Sequence, residues 1–233
     1  NGSCSEVGMD ETIVVTRSNK RANIYNAGIR NMVLGREEEL TAGDMLMVVK
    51  NNYYWLEKEK QSEERRVKSE AFNSNTSTSS SRQTNSSLFT LTSSLNGSFI
   101  ANGDRACIRR VRNVRELYGF SFADVWLQFP DYGDYELQAT VMLDTLTSEA
   151  PALTRQQSEQ LFNAVLEDYQ DIPLKADRMK HVREDRFYNA LQVKFAYAVT
   201  CHKAQGGQWA HVYVDQGYMT DDMLTPDYIH WLY

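Results

Sequence analysis

The 233-residue sequence has few of the residues that build metal sites and disulfide frameworks. It contains three cysteines, Cys4, Cys107 and Cys201, with no Cys-x-x-Cys pair, and its four histidines are scattered. We therefore expect no metal site, and the unpatterned cysteines indicate a reducing compartment. The adjacent Cys201 and His202 leave open a thiol nucleophile with its base. However, neighbours on a strand or turn point apart, and no third orienting residue is recognisable.

The sequence also lacks long apolar runs. None approaches the ~18 residues of a membrane span, and the first residues lack the apolar core of a signal peptide. We therefore expect a cytoplasmic protein without a membrane partner. Hydrophobic residues make up 42% of the chain, enough for the core of one large or two small domains. The missing initiator Met suggests a start inside a longer reading frame.

Net positive charge is absent as well: the formal charge is −6 and the pI is near 5.3. A polyanion is steered by the local field and not by the total charge, so the placement of the basic residues matters more. Each basic group could be an ordinary solvated surface, but together they are compatible with a groove for nucleic acid. The three groups are Arg17, Lys20, Arg21 and Arg30; Arg105, Arg109, Arg110, Arg112 and Arg115; and Arg178, Lys180, Arg183 and Arg186.

The most informative segment covers residues 195–209 and continues into an apolar strand at 211–215. Alternating residues over 195–199 predict a half-buried strand, and Gly206-Gly207 predicts a turn or a close approach to a ligand. Polar side chains lie between the strand and these glycines, and hydrogen-bond donors of this kind bind a nucleic-acid backbone without reading its bases. A purely structural polar turn is the alternative. The four polar residues, within six positions, are Thr200, His202, Lys203 and Gln205.

Residues 197–206 resemble motif V of superfamily 1 helicases, most closely the RecD-like branch. The family pattern is Tyr-Ala-x-Thr-x-His-Lys/Arg-x-Gln-Gly, and all seven typed positions coincide with this sequence. The resemblance implies that Gly206 and Gln208 approach a nucleotide, although Glu is usual in the family at the position of Gln208. It also implies DNA binding by Thr200, His202, Lys203 and Gln205.

A strand followed by a helix is predicted near the N-terminus. Residues 12–16 form a short apolar run, Ser18 is a suitable N-cap, and Gly35 is placed to end the helix. Donors at the junction would lie at the carboxyl end of a strand and at a helix N-terminus, where anions bind favourably. The junction loosely resembles motif IV of the same helicases, which implies that Thr16 and Arg17 contact DNA.

A small barrel is expected in the middle of the chain. The phrases Gly-Asp-Met-Leu-Met, Asn-Asn-Tyr and Asn-Gly-Asp resemble the start of the SH3-like barrel inserted in RecD-like helicases. Strand patterns at 45–49, 106–114, 120–129 and 137–143 support it. Tyr53, Tyr54 and Trp55 could stack on bases or pack in the core. Residues 73–98, rich in Ser, Thr and Asn, predict a disordered insertion.

The resulting expectation is an α/β fold: part of a RecA-like, P-loop-NTPase-type second motor domain, interrupted by an SH3-like β-barrel. Its first part covers residues 1–39 and the barrel 40–150. A helix with a Thr154 capping box and a basic connector occupy 151–190. The second part, with motif V, covers 191–233 and stops before motif VI.

The resemblance implies the C-terminal motor portion of an ATP-dependent DNA helicase, connected with DNA repair, that grips single-stranded DNA and moves 5′ to 3′. ATP and Mg2+ would serve the full-length parent, in which the missing first motor domain is the partner. No Gly-x-x-x-x-Gly-Lys-Ser/Thr loop is present, so we expect this stretch alone to bind no cofactor and to contain no catalytic residue. A non-catalytic nucleic-acid or protein binding module, and a purely structural descendant, remain alternatives.

Overall fold

The computed structural model describes residues 8–73 and 99–217. Most of the insertion predicted at residues 73–98, and the last part of the predicted motor segment, residues 218–233, lie outside these ranges. Within them, no helix combines the length and apolar character needed to cross a membrane.

A three-stranded parallel sheet holds the two chain ends of the described region together. Its strand order is β7, β1, β8, with β1 at Thr12–Thr16, β7 at Ala198–Thr200 and β8 at His211–Val214. Helix α1, Asn19–Gly28, begins at Ser18, whose side chain accepts from the N–H of Arg21, so the predicted N-cap is confirmed. The helix continues as a π-helical turn over Ile29–Val33.

A closed five-stranded barrel is the second part of the fold. Its order is β2 to β6, with antiparallel neighbours except for the parallel pair β5 and β6. The main core fills its interior, as the alternating strand patterns predicted. The strands are β2 Met45–Val48, β3 Arg105–Leu117, β4 Phe120–Phe129, β5 Tyr135–Met142 and β6 Leu191–Phe195.

Helices surround the barrel. A smaller apolar cluster joins helices α4, Arg155–Glu167, and α5, Lys175–Glu184, to one end of β4, and the capping box at Thr154 is confirmed. The basic connector predicted around 178–186 is largely helical. The remaining helices are α2 Tyr54–Asn73, α3 Asp144–Thr147 and α6 Cys201–Ala204, with a 3-10 turn at Pro130–Tyr132.

Two local expectations differ from the structure. The strand predicted over 195–199 is divided: Phe195 ends the barrel strand β6, and Ala198 begins β7 of the parallel sheet. The barrel thus uses residues 191–195, which the sequence-based boundary gave to the motor part, because β6 completes closure between β2 and β5. The aromatic run, for which base stacking and core packing were both expected, lies at the start of α2, Tyr54–Asn73. There Trp55 is buried and packs in the core, whereas Tyr53 is 56% exposed.

A buried carboxylate ties the two parts together. Asp44 is fully buried just before β2 and accepts from the guanidinium groups of Arg30, at 3.0 and 3.1 Å, and Arg36, at 2.7 Å. The Tyr197 hydroxyl also donates to it, at 2.9 Å, from the step between β6 and β7. Charges removed from water require such partners, so this cluster fixes how the barrel meets the sheet.

Candidate nucleic-acid interface

The polar turn after β7 lies where the parallel sheet meets the barrel. Thr16 and Thr200 are register partners on β1 and β7, so both strands end at the same edge of the sheet. Arg17 follows β1, and the single-turn helix α6 follows β7. A depression of about 480 Å³ between these strand ends is lined by Arg17, Thr200, His202 and Lys203, among others.

A second groove, of about 680 Å³, lies on the barrel side of the same turn. The loop from α6 to β8 forms one wall, and the start of β3 with the preceding turn forms the other. His202 and Lys203 line both depressions, so these side chains stand on the ridge between them. The wall residues include Asn102, Gly103, Arg105, Gln205, Gly206, Gly207, Gln208 and Trp209.

The ammonium groups near this ridge are crowded. Lys203 is partly buried and donates to Asn102 Oδ1, and burial lowers its pKa. Burial, followed by repulsion from Lys203, lowers the pKa of Lys194 to about 8. Lys203 lines both grooves, whereas the Lys194 ammonium donates to the carbonyls of Thr145 and Ser148 outside them. An anion bound in either groove would favour the charged form of Lys203, so the site is better suited to phosphate than to a cation.

Trp209 forms the floor of the larger groove beside Arg105. The Arg105 guanidinium lies 5.4 Å from the centre of the indole ring, and it pairs with Asp131 at 2.9 Å. Gly207 faces the same ring so closely that a Cβ there would lie 2.0 Å from it. The lack of a side chain at Gly207 therefore allows the indole to occupy its place in the groove.

Replacing Gly207 with Ala should displace the Trp209 indole and change its fluorescence, because the new methyl group and the ring cannot share this space. The free energy of unfolding, measured in urea, should change by less than about 1 kcal/mol, since the loop is exposed. Gly28→Ala, where a Cβ meets only the end of Met32 at 3.5 Å, is the matched control. The emission of Trp209 is obtained by subtracting the spectrum of the Trp209→Phe variant. If this emission is the same in G207A as in wild type, the prediction is contradicted.

Most of the sequence-predicted site residues come together here. His202, Gln205, Gly206 and Gln208 are exposed on the turn and loop, and Arg17 is exposed nearby; Thr200 and Lys203 are partly buried. Thr16 is different. It is fully buried, and its hydroxyl donates to the carbonyls of Ser18, at 3.1 Å, and Val199, at 3.3 Å. A contact between the Thr16 side chain and DNA is therefore excluded in this conformation, and Thr16 instead links the two strand ends.

Sequence reasoning missed the barrel's contribution to the groove. Asn102 and Arg105 form part of its barrel-side wall, although the first was interpreted only as part of a barrel-like phrase and the second only as one of a basic group. The signal that could have found them is the Asn-Gly-Asp turn directly before an arginine. The pairing of β2 with both β3 and β6 brings this turn to the motif. Such long-range pairing cannot be inferred from the spacing of residues in the sequence.

Neither a metal site nor a thiol nucleophile is supported in the described region. No group of three or more potential metal-binding side chains occurs within residues 8–73 and 99–217. The Cys201 thiol donates to the backbone carbonyl of Thr16 at 3.3 Å, which directs it toward the sheet and not toward a groove.

Comparison with known families identifies one part of the chain. Residues 195–233 match the family described as UvrD-like helicase C-terminal domain, a stretch that begins at the end of β6 and includes α6, Gly206 and Gly207. A search of curated proteins found no match. The family match covers less than half of the chain. It supports the interpretation that the chain is a portion of a superfamily 1 helicase, and therefore also supports nucleic-acid binding.

Proposed function

We propose that this chain is the second motor portion of an ATP-dependent DNA helicase of the RecD-like branch, built from part of a RecA-like domain and an SH3-like barrel. The observation that carries the proposal is the ridge of His202 and Lys203 between two grooves, within the segment that matches the helicase family. Donors and ammonium groups on such a ridge can hold a phosphate backbone without reading its bases.

The strand held there is single-stranded DNA. The His202 imidazole and the Gln205 amide are exposed beside the Lys203 ammonium, so successive phosphates can meet donors on one face of the turn. Trp209 and Arg105 offer a stacking surface on the groove floor, which is sequence-tolerant because every base has a π-face. Movement from 5′ to 3′, and a role in DNA repair, belong to the proposal through the family resemblance alone.

ATP and Mg2+ belong to the parent enzyme. Gly206 has φ +85° and open space around it, and Gln208 is exposed, so the loop can approach a nucleotide closely and offer an amide hydrogen bond. No phosphate-binding Gly-x-x-x-x-Gly-Lys-Ser/Thr loop occurs in the sequence. The residues present therefore fit one wall of a nucleotide cleft, and the first motor domain would supply the phosphate and Mg2+ ligands.

Replacing both His202 and Lys203 with Ala should weaken binding of labelled oligothymidylate by about tenfold or more, because two donors to phosphate are lost. Fluorescence anisotropy at two salt concentrations measures this. The wild-type affinity should fall as salt rises, since phosphate contacts release counterions. Circular dichroism should show the double variant to be folded.

Arg155 and Lys175 provide the matched control, because both are exposed on helices outside the two grooves. The double replacement R155A/K175A removes basic charge without touching the ridge, and its affinity should stay close to wild type. A folded H202A/K203A protein with unaltered affinity would remove the ridge from the proposed role. A salt-independent wild-type affinity would favour the alternative, a protein-binding module.

A further inference from the structure

Strand β3 leaves one of its edges open over most of its length. Its pairing with β2 ends at Cys107, and the last backbone bonds on that side join Ile108 to Gly43 and Asp44. The opposite edge pairs with β4 as far as Leu117. Within the described part of the chain no strand covers the open edge over residues 109–117. Register shifts between Ile108 and Arg110 and between Arg112 and Arg115 interrupt it, so the groups available for a regular ladder are those of residues 110–112 and 115–117.

Guanidinium groups without carboxylate partners among the described residues extend from this part of β3. Arg109, Arg110 and Arg112 are exposed, and none forms an ion pair with another described residue. Arg110 and Arg112 both lie 5.5 Å from the centre of the Trp126 ring on β4. Packing against one indole holds the two side chains on the same face and reduces the freedom they would lose on binding an anion.

The same arrangement disfavours a second copy of this chain. Two such strands side by side would bring like charges together, which disfavours self-pairing. The positive charge of these arginines repels the same edge of a second copy and attracts an acidic strand. Val114, 61% exposed, adds an apolar contact at the far end.

We propose that the open edge of β3 binds an extended acidic peptide of a partner protein by strand addition, with Arg110 and Arg112 pairing its carboxylates. An extended peptide satisfies the backbone groups of the edge, the free guanidinium groups and the apolar Val114. Nucleic acid would satisfy the guanidinium groups alone, because it offers no strand backbone. The site is independent of the DNA-binding ridge, to which neither arginine contributes.

The test uses a fluorescent decapeptide of alternating Glu and Val, which places all its carboxylates on one face of a strand. The chain should bind it, and R110E/R112E should weaken binding by about tenfold or more. R110Q/R112Q should give a smaller loss in the same direction. The matched double reversal R155E/K175E, on α4 and α5, should bind as wild type does. A peptide with alternate amides N-methylated should lose binding, because its charge remains while its strand hydrogen bonds do not.

Binding that survives R110E/R112E, or that is absent in the wild-type chain, would overturn the proposal. Equal binding of the N-methylated peptide would also overturn it, by reducing the surface to an unspecific anion site. Oligothymidylate that competes through Arg110 and Arg112 would reassign the edge to nucleic acid. The H202A/K203A variant should bind the peptide normally, and R110E/R112E should bind oligothymidylate normally. Loss of binding at one site can therefore be distinguished from loss at the other.

Discussion

Replacing Asp44 with Asn should lower the free energy of unfolding by about 3 to 5 kcal/mol. The Asp44 side chain is fully buried and the Arg30 side chain is only 8% exposed, so removing one charge leaves the other in a low-dielectric interior. Asn keeps only one acceptor oxygen, so an amide NH2 group faces either Arg36 and the Tyr197 hydroxyl, which bind Oδ1, or the Thr41 N–H, which binds Oδ2. Asn matches Asp in size, so the loss measures charge and hydrogen bonding and not a cavity.

Urea unfolding, followed by circular dichroism, measures this loss. Asp131→Asn is the control, because Asp131 also pairs with an arginine, Arg105, but has a side chain that is 47% exposed. Exposed pairs contribute about 1 kcal/mol or less, so the control midpoint should move little. Equal shifts in D44N and D131N would show that the buried cluster has no special role in joining barrel and sheet.

Asp124→Asn should have the second largest effect, about 2 kcal/mol at neutral pH. Asp124 on β4 is nearly buried and accepts from Asn113, Thr140, Arg115 and Arg186. Its arginine partners are more than a third exposed, so water can solvate them when the carboxylate is lost. The expected cost is therefore smaller than at Asp44.

The effect of Asp124 should depend on pH. Burial acts to raise the pKa of Asp124, but the hydrogen bonds from Asn113 and Thr140 and the charges of Arg186 and Arg115 outweigh it and lower that pKa. Its stabilising contribution is therefore present above the pKa of the unfolded chain, about 3.9, and is lost as the pH falls through the lower folded-state value. The difference in unfolding free energy between wild type and D124N should shrink as pH drops below about 4. A constant difference from pH 7 to acid would contradict this assignment.

Local signals predicted the secondary elements better than their connections. The Ser18 and Thr154 caps and the strand at Thr12–Thr16 follow from side chains within a few residues of each backbone group they serve. The division of 195–199 between two sheets could not be predicted in this way. A single alternating pattern satisfies both environments, and only the closure of the barrel by β6 decides where one ends.

The candidate site was predicted on one side only. His202, Lys203 and Gln205 follow each other in sequence, so the turn that carries them could be identified from spacing. Arg105 reaches the same groove through the pairing of β3 with β2, which depends on contacts far apart in the chain. The burial of Thr16 could not be predicted, because a polar residue at a strand end can face solvent or the neighbouring strand, and the sequence pattern does not distinguish the two.

The link between β6 and β7 has a mechanical consequence. Ala196 and Tyr197 alone separate the barrel strand from the sheet strand, and the Tyr197 hydroxyl is anchored on Asp44. A connection this short has no slack, so tension on the turn at residues 201–204 passes into the barrel wall instead of being absorbed by a loop. If the turn were displaced by a few ångströms, the barrel would therefore move with it as one rigid unit.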